Sequence, residues 1–161
     1  MSQGGAATVH DGPMKLEASD FAALDDAGKL AVVETLMLVV YADGKVMPDE
    51  VRRFDAVVSA LPWGLSPEVL KALIAGANQR MQSLSTPIAI ADFVANLATR
   101  LVGAALREKV LFTMATMAEA DGVLHPFERN LLGLFAVSFN LTSDRVTAIK
   151  DAVTAARPPE E

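Results

Sequence analysis

The chain has 161 residues, a net charge of −6 and a pI near 4.9, so it lacks the basic balance that is typical of a nucleic-acid-binding protein. Its hydrophobic fraction of 52% excludes a disordered chain, and the low aromatic content of 6% favours helices packed on helices. The absence of cysteine excludes disulfides and thiolate metal sites.

The ends of the chain differ in composition from its middle. Residues 1–16 are rich in Gly, Ala and Ser and have no hydrophobic period, which predicts a mobile leader without the basic and apolar segments of a signal peptide. The strongest apolar run, residues 35–42, is far shorter than the ~20 residues that a membrane span needs. We therefore expect one helical domain over residues 17–157, a solvated tail over residues 158–161 and a cytoplasmic location.

The middle of the chain reads as a series of amphipathic helices. Apolar residues recur every three to four positions, and Ser66-Pro67 and Thr86-Pro87 are strong start signals because a cap is followed by proline in the first turn. The first long helix is expected to bury one face, and Gly103 and Asn140 are expected to mark helix breaks. The predicted helices cover about residues 20–24, 26–42, 48–61, 67–81, 87–101, 104–120, 126–139 and 144–156.

One nine-residue pattern occurs twice. Residues 42–50 and residues 120–128 both read A-D-G-x-x-x-P-x-E, and each copy lies between two apolar helical patterns. Leu65-Ser66-Pro67-Glu68 corresponds to Leu141-Thr142-Ser143-Asp144, two residues out of register with the first correspondence. The sequence therefore predicts an all-α bundle built from two duplicated helix–acidic loop–helix units.

Each acidic loop offers oxygen ligands for a divalent cation. Asp43 ends one helix and Glu50 lies in the first turn of the next, and Asp121 and Glu128 repeat this arrangement. Because glycine lets the chain reverse between the two acids, both carboxylates could reach one ion. The spacing from Gly44 to Glu50 is that of the second half of an EF-hand loop, whereas the first half lacks ligands. The four acids are therefore candidate ligands for calcium, magnesium, manganese or zinc, and no organic cofactor is predicted.

Two other interpretations of these loops remain open. Asp-Gly followed by Pro-x-Glu is also a good stop and start signal for helices, because a glutamate in a first turn is stabilised by the helix dipole. His125 lies between the two acids of the second loop and could add a ligand for zinc or manganese, although Met47 replaces it in the first loop. A lone histidine in a loop is more often solvated.

The duplicated acidic motif resembles the TerB-like family, which includes the tellurite resistance protein TerB and a domain of some membrane-anchored DnaJ-like co-chaperones. The resemblance covers about residues 20–155 and is carried by both A-D-G-x-x-x-P-x-E copies. It implies a compact domain of about seven helices, a metal-chelating role for the acids at positions 43, 50, 121 and 128, and an association with tellurite and related stress responses within protein complexes.

Three functions are compatible with the sequence. The first is a non-enzymatic, cation-binding interaction module that acts with a protein partner and reaches a membrane only peripherally, through that partner. The second is a metal-independent helical scaffold, with Trp63 and Phe127 as contact residues if they are exposed. The third is a hydrolase that uses the paired acids, but the chain has no nucleophile elbow, P-loop or dinucleotide fingerprint, so we expect no enzymatic activity.

Overall fold

The computed structural model describes residues 14–41, 46–119 and 126–156, with the exception of the side chain of Phe127. Within these ranges the fold is all-α, as predicted, and the number of helices is close to the expected seven. The helices are α1 (Ala18–Ala22), α2 (Asp26–Tyr41), α3 (Pro48–Ala60), α4 (Pro67–Met81), α5 (Pro87–Arg100), α6 (Ala104–Ala118), α7 (Pro126–Ser138) and α8 (Ser143–Ala156).

Local sequence signals determine where these helices begin and end. Ser66 and Thr86 cap α4 and α5, because their hydroxyl oxygens accept the backbone N–H groups of Val69 and Ala89 at 3.2 Å and 3.1 Å. Asn140 follows α7 with a φ of 61°, a left-handed conformation that asparagine tolerates better than most residues. The predicted starts of α4 and α5 and the predicted end of α7 are therefore confirmed.

The first long helix, α2, is buried on all sides. Every residue from Ala31 to Val40 is at most 4% exposed, because α3, α4, α5 and α6 all pack against this helix. The sequence analysis expected a single buried face, and that expectation is wrong. A helix that is apolar around its whole circumference belongs in the centre of a bundle.

The other helix that precedes an acidic loop, α6, is the second central element. It packs against α2, and its residues Val110, Leu111, Phe112 and Met114 are buried. The most extensive contact of α2 is with α4, and that of α6 is with α8. Each central helix thus packs against the two helices that follow it along the chain. This arrangement is what a duplicated unit would produce, and the duplication itself stays a prediction.

The packed region begins before the predicted domain boundary at residue 17. Leu16 is buried in the core, and Met14 packs against the same core. The Nζ atom of Lys109 on α6 forms an ion pair at 3.0 Å with Asp20 on α1, and both side chains are largely buried. The short α1 is therefore attached to a central helix by charge as well as by apolar contact.

The junction between α5 and α6 is fixed by one arginine. Gly103 has a φ of 106°, a conformation that side chains disfavour, and it breaks the two helices as predicted. Arg107, one turn later, donates to the carbonyl oxygens of Leu101, Ala98 and Phe139 at 2.6 Å, 2.5 Å and 3.3 Å. Its guanidinium thereby satisfies carbonyl groups at the ends of α5 and α7, which have no partner within their own helices.

A second arginine connects the central α6 to α8. Arg145 donates through Nη2 and Nε to the two carboxylate oxygens of Glu108 at 2.6 Å and 2.9 Å. These hydrogen bonds raise the pKa of Arg145 above its ordinary value, and the charge of Glu108 adds to the effect while burial opposes it. Two parallel hydrogen bonds of this kind fix the orientation of α8 as well as its distance from α6.

Candidate functional site

The structure places two of the four predicted metal ligands. Glu50 and Glu128 are each the third residue of a helix that begins with proline, Pro48 in α3 and Pro126 in α7. Proline suits this first position because its missing N–H group would have no partner there. Asp43 and Asp121 lie outside the described residues, as does His125. The proposed pairing of an Asp with a Glu in each loop therefore stays a prediction.

Glu50 has a structural role at the start of α3. It is half-buried, and its Oε1 atom accepts the backbone N–H of Met47 at 3.2 Å, so it satisfies a donor that the helix leaves free. A carboxylate has about four acceptor positions on its two oxygens. The cap therefore leaves Oε2 and further lone pairs with which Glu50 could bind a cation.

Glu128 is the more buried of the two acids, with 9% of its surface exposed. Removing a carboxylate from water is costly unless donors or a cation surround it. The described residues contain no group of three or more His, Cys, Asp or Glu that could hold a metal ion. A complete site would consequently need the aspartates of the loops, backbone carbonyls or water.

Exposed apolar side chains surround Glu50 along the chain. Val46, Met47 and Val51 are all exposed, and Met47 has 52% of its surface accessible. We call these three residues the α3 patch. The backbone N–H of Val51 donates to the carbonyl of Met47 at 3.1 Å, which places the two side chains one turn apart on the same side of the helix. The first acidic loop thus adjoins an apolar surface.

Trp63 is not available as the contact residue considered in the sequence analysis. It is 4% exposed, its indole N–H donates to the carbonyl of Val58 at 2.7 Å, and its ring lies 4.6 Å from that of Phe21. The idea that Trp63 is an exposed docking residue is therefore wrong, because the ring completes the core beneath α1. The side chain of Phe127 lies outside the described residues.

A fully buried acid, Glu34, lies in the middle of α2. Its Oε1 accepts a hydrogen bond from Nη2 of Arg100 at 2.6 Å, and Nε of Arg80 forms an ion pair with Oε2 without hydrogen-bond geometry. Arg80 also places its guanidinium 5.4 Å from the ring centre of Phe93. We call Glu34, Arg80 and Arg100 the Glu34 cluster. It joins α2, α4 and α5 through a fully buried carboxylate that pairs with one largely buried and one half-exposed arginine, so its role is structural.

Two clefts lie at corresponding places in the two halves of the bundle. The first cleft, of about 270 Å³, is between α2, α3 and α4, and the second, of about 440 Å³, is between α6, α7 and α8. Many lining positions match when the two acidic loops are aligned, with the two-residue shift applied to the last helix. The matches are Met37 with Ala115, Tyr41 with Glu119, Val51 with Arg129, Phe54 with Leu132, Asp55 with Gly133, Ile74 with Lys150 and Asn78 with Thr154.

Side-chain size explains why the second cleft is larger. Ala115 and Gly133 replace Met37 and Asp55 of the first cleft. In addition, the hydroxyl of Tyr41 donates to the amide oxygen of Asn78, and this hydrogen bond ties α2 to α4 at the first cleft. The first cleft is thus narrowed by its own side chains.

Comparison with known proteins identifies the family. A family model described as "Tellurite resistance protein TerB" matches residues 29–151, which is most of the chain. The chain belongs to the TerB family. Comparison with curated proteins and with solved structures gives no significant match.

The TerB match spans most of the features described above. It begins near the start of α2 and ends within α8, so it includes both acidic loops, the Glu34 cluster and the whole of the first cleft. Within the described part of this TerB-family chain, no helix has the length and apolar character needed to cross a membrane.

Sequence reasoning missed the Glu34 cluster and the second cleft of this TerB domain. Glu34 had a visible signal, because it is the one charged residue in the apolar run of residues 30–41. Comparison of the two halves would have revealed Arg129 and Lys150, since each replaces an apolar residue of the first half. Their presence in one cleft depends on how three helices pack, which the aligned halves do not specify.

Proposed function

We propose that this TerB-family protein is a non-enzymatic interaction module whose surface responds to a divalent cation. The observation that carries the proposal is the position of Glu50, a half-buried carboxylate directly beside the exposed Val46, Met47 and Val51. A candidate cation ligand and a candidate contact surface for a partner protein thus share one helix start. Any ion held by Glu50 would act on the α3 patch directly.

The cation would act through the angle between helices. An ion bound by Asp43 and Glu50 would join the region that follows α2 to the first turn of α3. An ion bound by Asp121 and Glu128 would likewise join the region that follows α6 to the first turn of α7. Carboxylate oxygens are the ligands that calcium, magnesium and manganese prefer, and zinc also accepts them. Because α2 is held on all sides by the core, α3 and its patch are the elements that such an ion would reposition.

Several further aspects of the function follow from this proposal. A chain without cysteine has no thiol to capture tellurium species, so a role in tellurite or related stress would be indirect, through a protein partner. We expect this module to work in the cytoplasm without catalysis, nucleic acid or an organic cofactor. Any association with a membrane would be peripheral and would depend on the partner.

Calorimetric titration of chelator-treated protein with calcium, magnesium, manganese and zinc tests the cation site. We expect saturable binding with a dissociation constant of roughly 10⁻⁴–10⁻³ M. Asp43→Asn combined with Asp121→Asn should abolish the heat of binding and leave the helical circular dichroism unchanged. Asp49→Asn is the matched control, because Asp49 is an exposed acid paired with Arg52 and should leave binding intact. Absence of binding by the wild type at millimolar concentrations would refute the cation site.

One observation favours the metal-independent scaffold as the second candidate function. Glu50 already caps α3 through Met47, so the acid has a reason to be present without any ion. In that case the α3 patch would bind its partner equally well in chelator. The same titration separates the two functions, since the scaffold predicts no cation binding by the wild type.

A further inference from the structure

The second cleft combines enclosure with a specific chemical lining. Its volume of about 440 Å³ lies within the range of roughly 300–1,000 Å³ that is usual for small-molecule sites. The floor is aliphatic, with Leu111, Leu132, Ile149 and Val153 contributed by all three surrounding helices, and none of the described aromatic rings lines it. A flexible hydrocarbon chain is the apolar group that such a floor accommodates.

Two cationic side chains also line this cleft. Arg129 comes from α7 and Lys150 from α8, and among the described residues neither has an ion-pair partner. Among the residues that the structure describes, one acid, Glu119 at the end of α6, lines the cleft. Two basic residues in one cleft of a chain with a net charge of −6 provide a local excess of positive charge, which attracts an anion.

The first cleft shows that these features are not general to the fold. At the positions of Arg129 and Lys150 the first half has Val51 and Ile74, and Met37 occupies the space that Ala115 leaves open. The described lining of the first cleft has one basic and one acidic residue, Lys71 and Asp55, so the second cleft differs from it in being wider and in having one more basic residue. A larger apolar space with basic side chains is the combination that an amphipathic anion requires.

The geometry points to the second cleft as a binding site for a small aliphatic carboxylate, with the hydrocarbon chain on the floor and the carboxylate between Arg129 and Lys150. Of the four predicted metal ligands, the two that lie within the described residues, Glu50 and Glu128, do not line the cleft. The inference does not depend on the proposed function, and its test is performed in chelator so that the two can fail independently.

The test is calorimetric titration of the full chain with decanoate, below the concentration at which it forms micelles. We expect saturable binding of one decanoate per chain. Decyltrimethylammonium, which has a slightly longer hydrocarbon chain and the opposite charge, should bind at least about tenfold more weakly. Equal binding of the two amphiphiles would overturn the assignment of an anion.

Two variants locate the site. Gly133→Leu places an apolar side chain in the cleft, where its Cβ atom would meet nothing within 4 Å, and it removes a glycine from a helix. Gly76→Leu in α4 is the matched control, because its Cβ is equally free and it lies outside both clefts. We expect the first variant to abolish decanoate binding and the second to retain it.

A double variant tests the contribution of the two basic side chains to binding. Arg129→Gln with Lys150→Gln should weaken decanoate binding about tenfold or more while the melting temperature stays near that of the wild type, since both side chains are exposed. No saturable binding of decanoate by the wild type would overturn the proposal. Binding that persists in Gly133→Leu, or preference of the cleft for an acidic helical peptide over decanoate, would overturn it as well.

Discussion

Replacing Arg100 with alanine is expected to lower the free energy of unfolding by about 3–5 kcal/mol, which is the range for breaking a buried ion pair. The reason is the environment of Glu34, which is 0% exposed and accepts the 2.6 Å hydrogen bond from Arg100. Without that guanidinium, the carboxylate retains Arg80, whose side chain is half exposed and which lacks hydrogen-bond geometry to Glu34. Urea denaturation followed by circular dichroism measures the loss.

An exposed ion pair provides the matched control for this variant. Arg52 pairs with Asp49 on the surface of α3, and Arg52→Ala should change the free energy of unfolding by at most about 1 kcal/mol. Replacing Glu34 and Arg100 together with leucine should restore much of the stability, because the buried charge is then removed along with its partner. An Arg100→Ala variant as stable as Arg52→Ala would contradict the role of the Glu34 cluster.

Phe135→Ala is expected to destabilise the protein by about 3–5 kcal/mol, because it leaves a cavity in the core. Phe135 is fully buried on α7, and its ring packs edge to face on Phe139 at 5.3 Å between centres. The ring holds α7 against the core and thereby fixes the helix whose first turn contains Glu128. Thermal and urea unfolding of the purified variant measure the effect.

The control for Phe135 lies two residues away on the same helix. Val137 is 78% exposed, so Val137→Ala should change the free energy of unfolding by less than about 0.5 kcal/mol. If both variants were equally stable, the packing of α7 described above would be wrong. If both were strongly destabilised, the assignment of Val137 to the exposed side of α7 would be wrong.

The helix boundaries were predictable because their causes are local. Ser66 and Thr86 each accept a backbone N–H three residues away, and Asn140 adopts a left-handed conformation within its own turn. The all-round burial of α2 was not predictable in this way. It depends on how many helices surround the segment, and the hydrophobic periodicity of a sequence does not indicate how many neighbours a helix has.

The same distinction between local sequence signals and tertiary packing applies to the candidate sites. The positions of Glu50 and Glu128 in first turns followed from the proline that lies two residues before each glutamate, Pro48 and Pro126, and the structure places them there. The Glu34 cluster joins residues 66 positions apart in the case of Arg100, a pairing that only tertiary packing specifies. The second cleft likewise arises from three separate helices.

Amide hydrogen exchange with and without the bound cation tests the central claim most directly. We predict that saturating cation slows exchange across residues 46–51 and 126–130, and that the start of α4 at residues 67–70 is unaffected. The Asp43→Asn, Asp121→Asn double variant should show no such change. Identical exchange of the wild type in cation and in chelator would contradict a cation-responsive surface, as would the same slowing in the double variant.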